Sequence, residues 1–462
     1  MSDKMKLPVH VQSIMGALES AGFESYVVGG AVRDFLLRRK TSDYDLCTSA
    51  RPEETMHVLG QFSPDGSAAR YGVVSVGDGT KRVEITTFRR EGGYVDGRHP
   101  ESVEFTKNLA EDLARRDFTV NAVAYNPKTG YIDPFCGRDD IKRRIIKTIG
   151  DPYSSFSQDA LRIMRAVRFA SQLGFAIESN TRAAAENLAD ALEKISHERV
   201  RDELFRFVTG PRAGNALLQY RKIIFSVIPE LERCDGFEQH NPNHNFDVFG
   251  HTAETLRRSS RALPLRLAAL LHDIGKPLCF STDANGRGRF WGHMEKGAEI
   301  SREILERLQC PQKLADTVCL LVESHDKPYS ATPASARFWL NRVGRRNIFL
   351  LIELKKADCL AHAKSYHNRL ARIYGFKREV LASLRRGDCF TLGALALSGG
   401  ELCDALEMRP GPKVGALLGR LLEGVLDGSV NNDKDELIAL AKIYKDERTS
   451  LENGSNRDGE RE

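Results

Sequence analysis

The sequence predicts an α+β protein: a head built on a mixed sheet with helices, followed by a mostly α-helical neck, body and tail. Three observations carry that expectation. Up to about residue 150, short apolar runs alternate with glycine-rich turns, the pattern of strands and hairpins. From about Ser157 the apolar residues recur at helical spacing instead. The length, 462 residues, exceeds what one core ordinarily serves, so several domains are expected.

In the head, "SYVVGG" (Ser25–Gly30) reads as a strand running into a glycine turn. Gly29 and Gly30 allow close backbone approach, and such a turn can cradle phosphate oxygens. Arg33 and Asp34 follow at a helix start. In "DYD", Asp43 and Asp45 alternate, so on one strand both side chains would face one side. "GVVSVGDGTKRVEITTF" (Gly72–Phe88) reads as a hairpin with Asp78-Gly79 at its tip. Glu84, in "VEI", would bring a third acid on a neighbouring strand. A polar loop, "REGGYVDGRHP" (Arg90–Pro100), follows, and "LAEDLARRDFTVNAVAYN" reads as a helix start running into apolar packing.

A bare DxD is most often a solvated surface turn. The upstream glycines, the Arg33-Asp34 pair and the downstream acid favour a metal site instead. Converging carboxylates repel one another, and hard divalent cations such as Mg²⁺ offset that repulsion through oxygen ligation. Two such ions can activate an attacking hydroxyl and stabilise a leaving pyrophosphate.

The neck opens with "DALRIMRAVRFASQLGF" (Asp159–Phe175), read as one helix that Gly174 can stop. Asp159, Arg162, Arg165 and Arg168 are spaced by three and form one drifting stripe. An acid heading three arginines suits a nucleotide base at one end and phosphates at the other. A solvated basic face is the competing reading. Composition breaks place a head at 1–150, a helical neck at 151–235, a helical body at 236–385, a helical tail at 386–446 and a disordered end at 447–462.

"GGAVRD…DYDL" resembles the signature of DNA polymerase β-type nucleotidyltransferases. More narrowly, it is similar to the class II tRNA nucleotidyltransferases (CCA-adding enzymes) and the bacterial poly(A) polymerases. The likeness continues through "RRDFTVNA", "DPFCG", "QDALRIMRAVRF" and "HERVRDELFRF", over roughly the first 210 residues. It implies that Asp43 and Asp45 hold Mg²⁺, with Glu84 as the third acid. Gly29, Gly30 and Arg33 would contact the triphosphate, and Arg116 and Asp117 the triphosphate and ribose. Asp159 and Arg162 would read the Watson–Crick edges of C and A, with Arg165 and Arg168 along the same nucleotide site. The protein itself would be the template. One position departs from the pattern: Gln158 stands where the family has glutamate, keeping an acceptor but no charge. The loop after Arg89 resembles the segment that lets CCA-adding enzymes switch from C to A.

The implied reaction adds C, C and A to the 3′ end of tRNA from CTP and ATP. Poly(A) addition and A-only addition share the same motifs. The tail carries both signs of charge, which favours tRNA over nonspecific RNA capture. A reading of another class remains: a metal-dependent phosphohydrolase whose head merely binds RNA. It rests on "FGHTAETL" (His251), "ALLHDIGKP" (His272, Asp273), "FWGHMEKG" (His293), "LVESHDKP" (His325) and "LKKADCLAH" (Asp358), which together resemble the HD phosphohydrolases. Imidazole and carboxylate together bind divalent or transition metals, so a second metal is expected there.

Composition bounds the rest. The net charge of +5 permits a nucleic-acid partner without demanding one. The nine cysteines are scattered, with no CxxC pair, which argues against a disulfide framework and a cysteine zinc site. No signal peptide or membrane span is read, so a reduced, cytoplasmic compartment is expected. Near Pro410-Gly411-Pro412 two readings stand: an RNA contact involving Lys413, or a plain helical tail packed on the core.

Overall fold

The computed structural model describes residues 4–41, 43–77, 82–92 and 103–458, the side chains of Glu91 and of residues 447–458 excepted. Two compact units divide the chain. One holds Met1–Arg233 and Ile304–Cys310, the other Cys234–Glu303 and Pro311–Glu462.

The strands of the first unit are β1 (Ser25–Val28), β2 (Asp45–Thr48), β3 (Val73–Val76), β4 (Val83–Thr87), β5 (Arg89–Glu91), β6 (Val103–Phe105), β7 (Ala124–Asn126) and β8 (Gly130–Ile132), followed by the short pair β9 (Ile145–Ile146) and β10 (Ala176–Ile177). Six of them form a mixed sheet in the order β3-β4-β2-β1-β7-β8, and β5 pairs with β6 as a separate ribbon. Within the six-stranded sheet β2 and β4 are the parallel pair, with Asp45 opposite Glu84. β1 is antiparallel to β2, with Val28 opposite Asp45. The expected hairpin forms as β3–β4. Its tip at Asp78-Gly79 and most of the loop after Arg90 lie outside the described residues.

Strand alternation sends Val27, Leu46 and Ile85 into one core with the helix Val9–Ser20, through Val11, Ile14 and Leu18. Tyr26, Val28, Cys47 and Phe88 point the other way, onto Leu109 and Leu113. Each such burial stabilises by about 1.5–3 kcal/mol. A strand buried on both faces holds its end still, and Asp45 begins β2 at that end. Asp43 corrects the sequence reading. It precedes the strand, so it does not share a face with Asp45 through strand alternation.

The neck also departs from expectation. The helix Pro152–Gln158 ends at Asp159, whose backbone is extended (φ −142°, ψ 99°), and the next helix starts at Leu161. Asp159 therefore sits at a corner rather than on the arginine helix. Its carboxylate turns back to accept from the Leu161 amide at 3.1 Å, which draws the acid out of the helical path. Gly174 closes the helix at φ 73°. The helix His197–Val208 packs against Leu161–Leu173. A Cβ on Gly210 would lie 2.0 Å from Ser171 Oγ, so glycine is what lets the two helices approach there.

The second unit is almost wholly helical. Leu263–Leu271 is buried from Leu265 to Leu271, as a central helix must be. Val248–Arg258, Gln312–Ser324 and Pro333–Ala361 pack around it. The last helix, Lys434–Asp458, carries its backbone ladder past residue 447, where the sequence reading began a disordered end. Among the described residues no helix is long and apolar enough to cross a membrane. All nine cysteines are free.

Candidate active site and a second metal-ligating cluster

The turn at Gly29 (φ 71°) leads directly into the helix Gly30–Leu36. A Cβ on Gly29 would lie 3.5 Å from an Arg116 guanidinium nitrogen, and one on Gly30 3.6 Å from Arg33. The glycine pair thus lies bare beneath two cations. It lines a cavity of about 820 Å³ together with Arg33, Asp43 and Asp45. The far walls carry Arg116, Asp117, Asp159, Arg162, Arg165 and Arg168. Glu84 is not in the lining; it stands beside Asp45 across the β2–β4 pair.

Asp45 has a raised pKa. Burial is the largest cause, followed by the charges of Glu84 and Asp43, with Arg116 opposing them. Among the described residues no cationic side chain lies within 4 Å of Asp43 or Asp45. An all-oxygen donor set that opens to solvent in the cavity and is short of countercharge fits a hard divalent cation.

Asp117 is buried and fully engaged. Its Oδ1 accepts from the Phe118 amide at 2.8 Å and from Asn121 Nδ2 at 3.0 Å. Its Oδ2 accepts from Arg165 Nε at 2.8 Å and from a second nitrogen of the same guanidinium. Four donors fill a carboxylate's acceptor capacity, so a ribose hydroxyl would have to displace one of them. Burial alone would raise its pKa, but Arg165 and Asn121 outweigh that and hold it at about 2. Asn121 also accepts from Arg33 at 2.7 Å, which ties the glycine turn to the arginine helix.

The arginine stripe is no solvated face. Arg162 and Arg168 are buried. Arg162 donates to Ser155 Oγ at 2.9 Å and to the Arg115 carbonyl at 3.0 Å. Arg168 pairs with Glu203 at 2.6 Å. Asp159 pairs with Arg199 at 3.3 Å, which leaves its oxygens with spare acceptor capacity. Arg115 pairs with Asp112 at 2.9 Å, and Arg116 shares the same buried carboxylate at 3.2 Å.

Sequence reasoning missed Asp112, Asn121, Arg199 and Glu203. Glu203 had a visible signal. It occupies the buried stripe Val200, Glu203, Leu204, Phe207, Val208, where an acid needs a partner.

In the second unit, His272, His293 and His325 share one device. Each places Nδ1 on the carbonyl three residues before it: Ala269 at 2.9 Å, Phe290 at 2.7 Å and Val322 at 2.7 Å. Nε2 of each is thereby free to face Asp273, at 3.2, 3.8 and 3.5 Å respectively. His251 Nε2 meets Asp358 at 2.8 Å and lies 3.6 Å from Asp273. All six residues picked from the sequence are thus brought together. Inward-facing imidazole nitrogens fixed by outer hydrogen bonds, with buried carboxylates between them, fit a divalent metal. Burial lowers His251 and His293 to about 4, so both are neutral near pH 7. For Asp273 burial acts upward, but His272 and Lys276 hold it well below the usual range; Lys276 Nζ is 2.7 Å away. Lys276, His244 and His362 were not picked from the sequence.

Comparison with known proteins agrees with this layout. Residues 25–147 match the Poly A polymerase head domain, 174–234 the probable RNA and SrmB-binding site of polymerase A, and 248–363 the HD domain. A stretch of 220 residues is 44% identical to the CCA-adding enzyme of Anoxybacillus flavithermus, covering 47% of this chain and 55% of that one. The CCA-adding enzyme of Geobacillus stearothermophilus is 33% identical over 432 residues, 92% of this chain and 94% of that one.

The chain belongs to the CCA-adding enzyme family.

The likeness to this family extends to solved structures. That of the Bacillus stearothermophilus CCA-adding enzyme in complex with CTP superimposes with a TM-score of 0.69 at 29% identity, covering 97% of this chain and 100% of that one. The Thermotoga maritima CCA-adding enzyme complexed with tRNA shares the fold at 19% identity and a TM-score of 0.56, over 96% and 97% of the two chains. At up to 47% identity, the first matches span about half the length of the relatives they match, whereas the relative from Limosilactobacillus fermentum is covered over 95% of its length at 31% identity.

Proposed function

We propose that this protein adds C, C and A to the 3′ end of tRNA from CTP and ATP, without a nucleic-acid template. The observation that carries the reading is the pairing of Asp43 and Asp45, short of countercharge, with a wall of guanidiniums across one cavity. Asp43 and Asp45 would hold Mg²⁺, with Glu84 raising the negative potential at Asp45 from β4. Bound there, the ion supplies charge stabilisation for attack by the RNA 3′-hydroxyl on the nucleotide α-phosphate, with pyrophosphate leaving.

The remaining work is positioning. Gly29 and Gly30 present backbone to the triphosphate, and Arg33 and Arg116 stand over them. Asp117 holds Arg165 and Asn121 in place. Asp159 offers acceptors to the exocyclic amino group that C and A share, and Arg162 stands beside it as donor. Gln158 ends its helix one residue before that corner, so the acceptor role falls on Asp159. The nine free thiols suit a reducing compartment, and we place the reaction in the cytoplasm.

The test supplies a tRNA lacking CCA with labelled CTP and ATP, singly and together, in Mg²⁺. Incorporation of both with arrest after three nucleotides is expected. Long A tails, or incorporation of A alone onto tRNA ending in CC, would replace this reading with poly(A) or A-only addition.

A second reading concerns the HD cluster. The three Nδ1–carbonyl bonds favour a resident divalent metal held by His272, His293, His325 and Asp273, with His251 and Asp358 beside it. A metal held by these residues would supply Lewis-acid activation of water against a phosphoester. Release of phosphate from 2′,3′-cyclic or 3′-phosphorylated nucleotides, lost in His272→Ala but kept in Asp43→Ala, is the expected outcome.

A further inference from the structure

The chain has two tryptophans, and they stand in opposite surroundings. Trp339 is 1% exposed and Trp291 is 81% exposed. An indole is a large apolar face that folding ordinarily covers. Trp291 lies two residues before His293, and with Asp273, His293 and His325 it lines a cavity of about 380 Å³. Those three residues are buried, so the bare indole stands at the mouth of the chamber that holds the HD cluster.

Two guanidiniums line the same chamber, and among the described residues neither forms an ion pair. Arg369 lies 4.0 Å over the Tyr366 ring and donates to its hydroxyl. Tyr366 in turn stacks on His362 at 4.1 Å, which fixes that wall. Arg287 donates to Asn241 Oδ1 at 3.1 Å, and its Nε is buried with no partner. The neighbouring Arg289 is different, because Asp283 neutralises it at 2.9 Å. Lys276 is engaged too, by Asp273 at 2.7 Å and Gln239 at 2.8 Å. A guanidinium short of countercharge in a cavity is a ready partner for phosphate oxygens.

We propose that this chamber binds a nucleotide, with the base stacked on Trp291 and the phosphate held by Arg287 and Arg369. The proposal rests on the reading of the HD cluster as a metal centre and names what that centre acts on. An exposed aromatic face beside uncompensated cations is the pairing that holds a nucleobase and its phosphate. A phosphoester without a base has no use for the indole. Every base has a π-face, so stacking accepts all four and selects nucleoside phosphates over other phosphoesters. The volume is near the lower end of the ~300–1,000 Å³ typical of ligand pockets, which suits one nucleotide, free or at the 3′ end of an RNA.

The test titrates the full chain with the non-hydrolysable phosphonate analogue of 3′-AMP, with an RNA ending in the same group, and with ethylphosphonate, which has no base. Heat and tryptophan emission are read together. The nucleotide analogue should quench the exposed tryptophan, and ethylphosphonate should not. Trp291→Ala should weaken binding of the analogue by about 5–150-fold, the equivalent of one stacked base, and leave ethylphosphonate unchanged. Trp291→Phe should restore most of the loss, and Arg369→Gln should weaken both ligands. CCA addition by the head, equal to the parent's, reports that each variant is folded. Tighter binding of the RNA makes the ligand a chain end, and tighter binding of the free analogue makes it a mononucleotide; either upholds the site. Equal affinity of parent and Trp291→Ala for the analogue overturns the proposal, as does equal affinity of the parent for analogue and ethylphosphonate, or no binding at all. The metal reading fails separately: a metal-loaded parent that binds the analogue but does not hydrolyse 3′-AMP keeps the nucleotide site and loses the hydrolytic centre. Hydrolysis of phosphoesters with and without a base at equal efficiency does the reverse.

Discussion

Arg165 places its Nε 2.8 Å from Asp117 Oδ2, joining the arginine helix to the loop after Arg116 across 48 residues of sequence. The pair is the centre of a chain that runs from Arg33 through Asn121 and Asp117 to Arg165. Asp117→Asn keeps the shape and removes the charge. Arg165 is a third exposed, so losing the charge-assisted pair costs about 1–3 kcal/mol, and thermal unfolding should come a few degrees earlier. The apparent KM for CTP and ATP should rise in parallel. Unchanged melting and kinetics would remove Asp117 from the positioning role.

The same residue predicts a pH limb. Its folded pKa, about 2, lies below the ordinary value of 3.8. A depressed carboxylate stabilises the fold fully above the unfolded pKa and loses that contribution as pH falls through the folded one. The head should therefore lose on the order of 2 kcal/mol between about pH 4 and 2, and Asp117→Asn should flatten that part of the stability curve. Chemical denaturation at stepped pH measures it.

Asp45 moves the other way, raised first by burial and then by Glu84 and Asp43. Protons and Mg²⁺ compete for it. The Mg²⁺ requirement of CCA addition should consequently increase with acidification at a higher pH than an ordinary carboxylate would dictate. Glu84→Gln removes one raising charge, so the acid limb should shift to lower pH. Asp45→Asn should lower the rate by three orders of magnitude or more, the scale on which charge stabilisation at a reacting phosphate works. An acid limb at the same pH in parent and Glu84→Gln would contradict the coupling.

Arg199 steadies Asp159 at 3.3 Å from its carboxylate. Asp159→Asn turns an acceptor into a mixed group, and discrimination of CTP and ATP over UTP and GTP should fall by about 10–100-fold, the range of one or two lost hydrogen bonds. Arg199→Ala should blur selection less, through KM more than kcat. Steady-state kinetics with the four nucleotides decides between them. Equal loss for all four would make Asp159 structural.

A Cβ on Gly137 would stand 2.1 Å from the Thr119 carbonyl oxygen. Gly137→Ala forces backbone apart beneath Asn121 and should destabilise by about 1–3 kcal/mol. A melting temperature equal to the parent's would show that the segment yields.

The parts of the site that were legible in the sequence are those whose chemistry is local. Gly29-Gly30, the DYD acids and the arginine spacing each announce themselves within a few residues. Glu84 was reachable because a short strand centres it between Val83 and Ile85. The corner at Asp159 was not, because helical periodicity continues unbroken on both sides of it and only the aspartate's bond to the Leu161 amide marks the break. Partners fixed by long-range packing were equally hidden. Glu203 stands out in its own buried stripe, but nothing near Arg168 names it as the partner, and nothing near His251 points to Asp358, 107 residues away. Their pairing is a property of how helices cross, not of spacing along the chain.

The parallel pairing of β2 and β4 has a consequence for how the chain tolerates change. Asp45 faces Glu84 because of strand register, not because of the number of residues between them. Length in the connecting segment is free to vary, whereas one residue added inside either strand would turn the acid away from its neighbour. Insertions among residues 60–70 should be borne, whereas a single insertion between Val83 and Thr87 should silence the enzyme and destabilise the head, because Val83 and Ile85 leave the core together with the acid's register. Length can therefore change at the rim of the head without disturbing the acid pair, which the pleat holds.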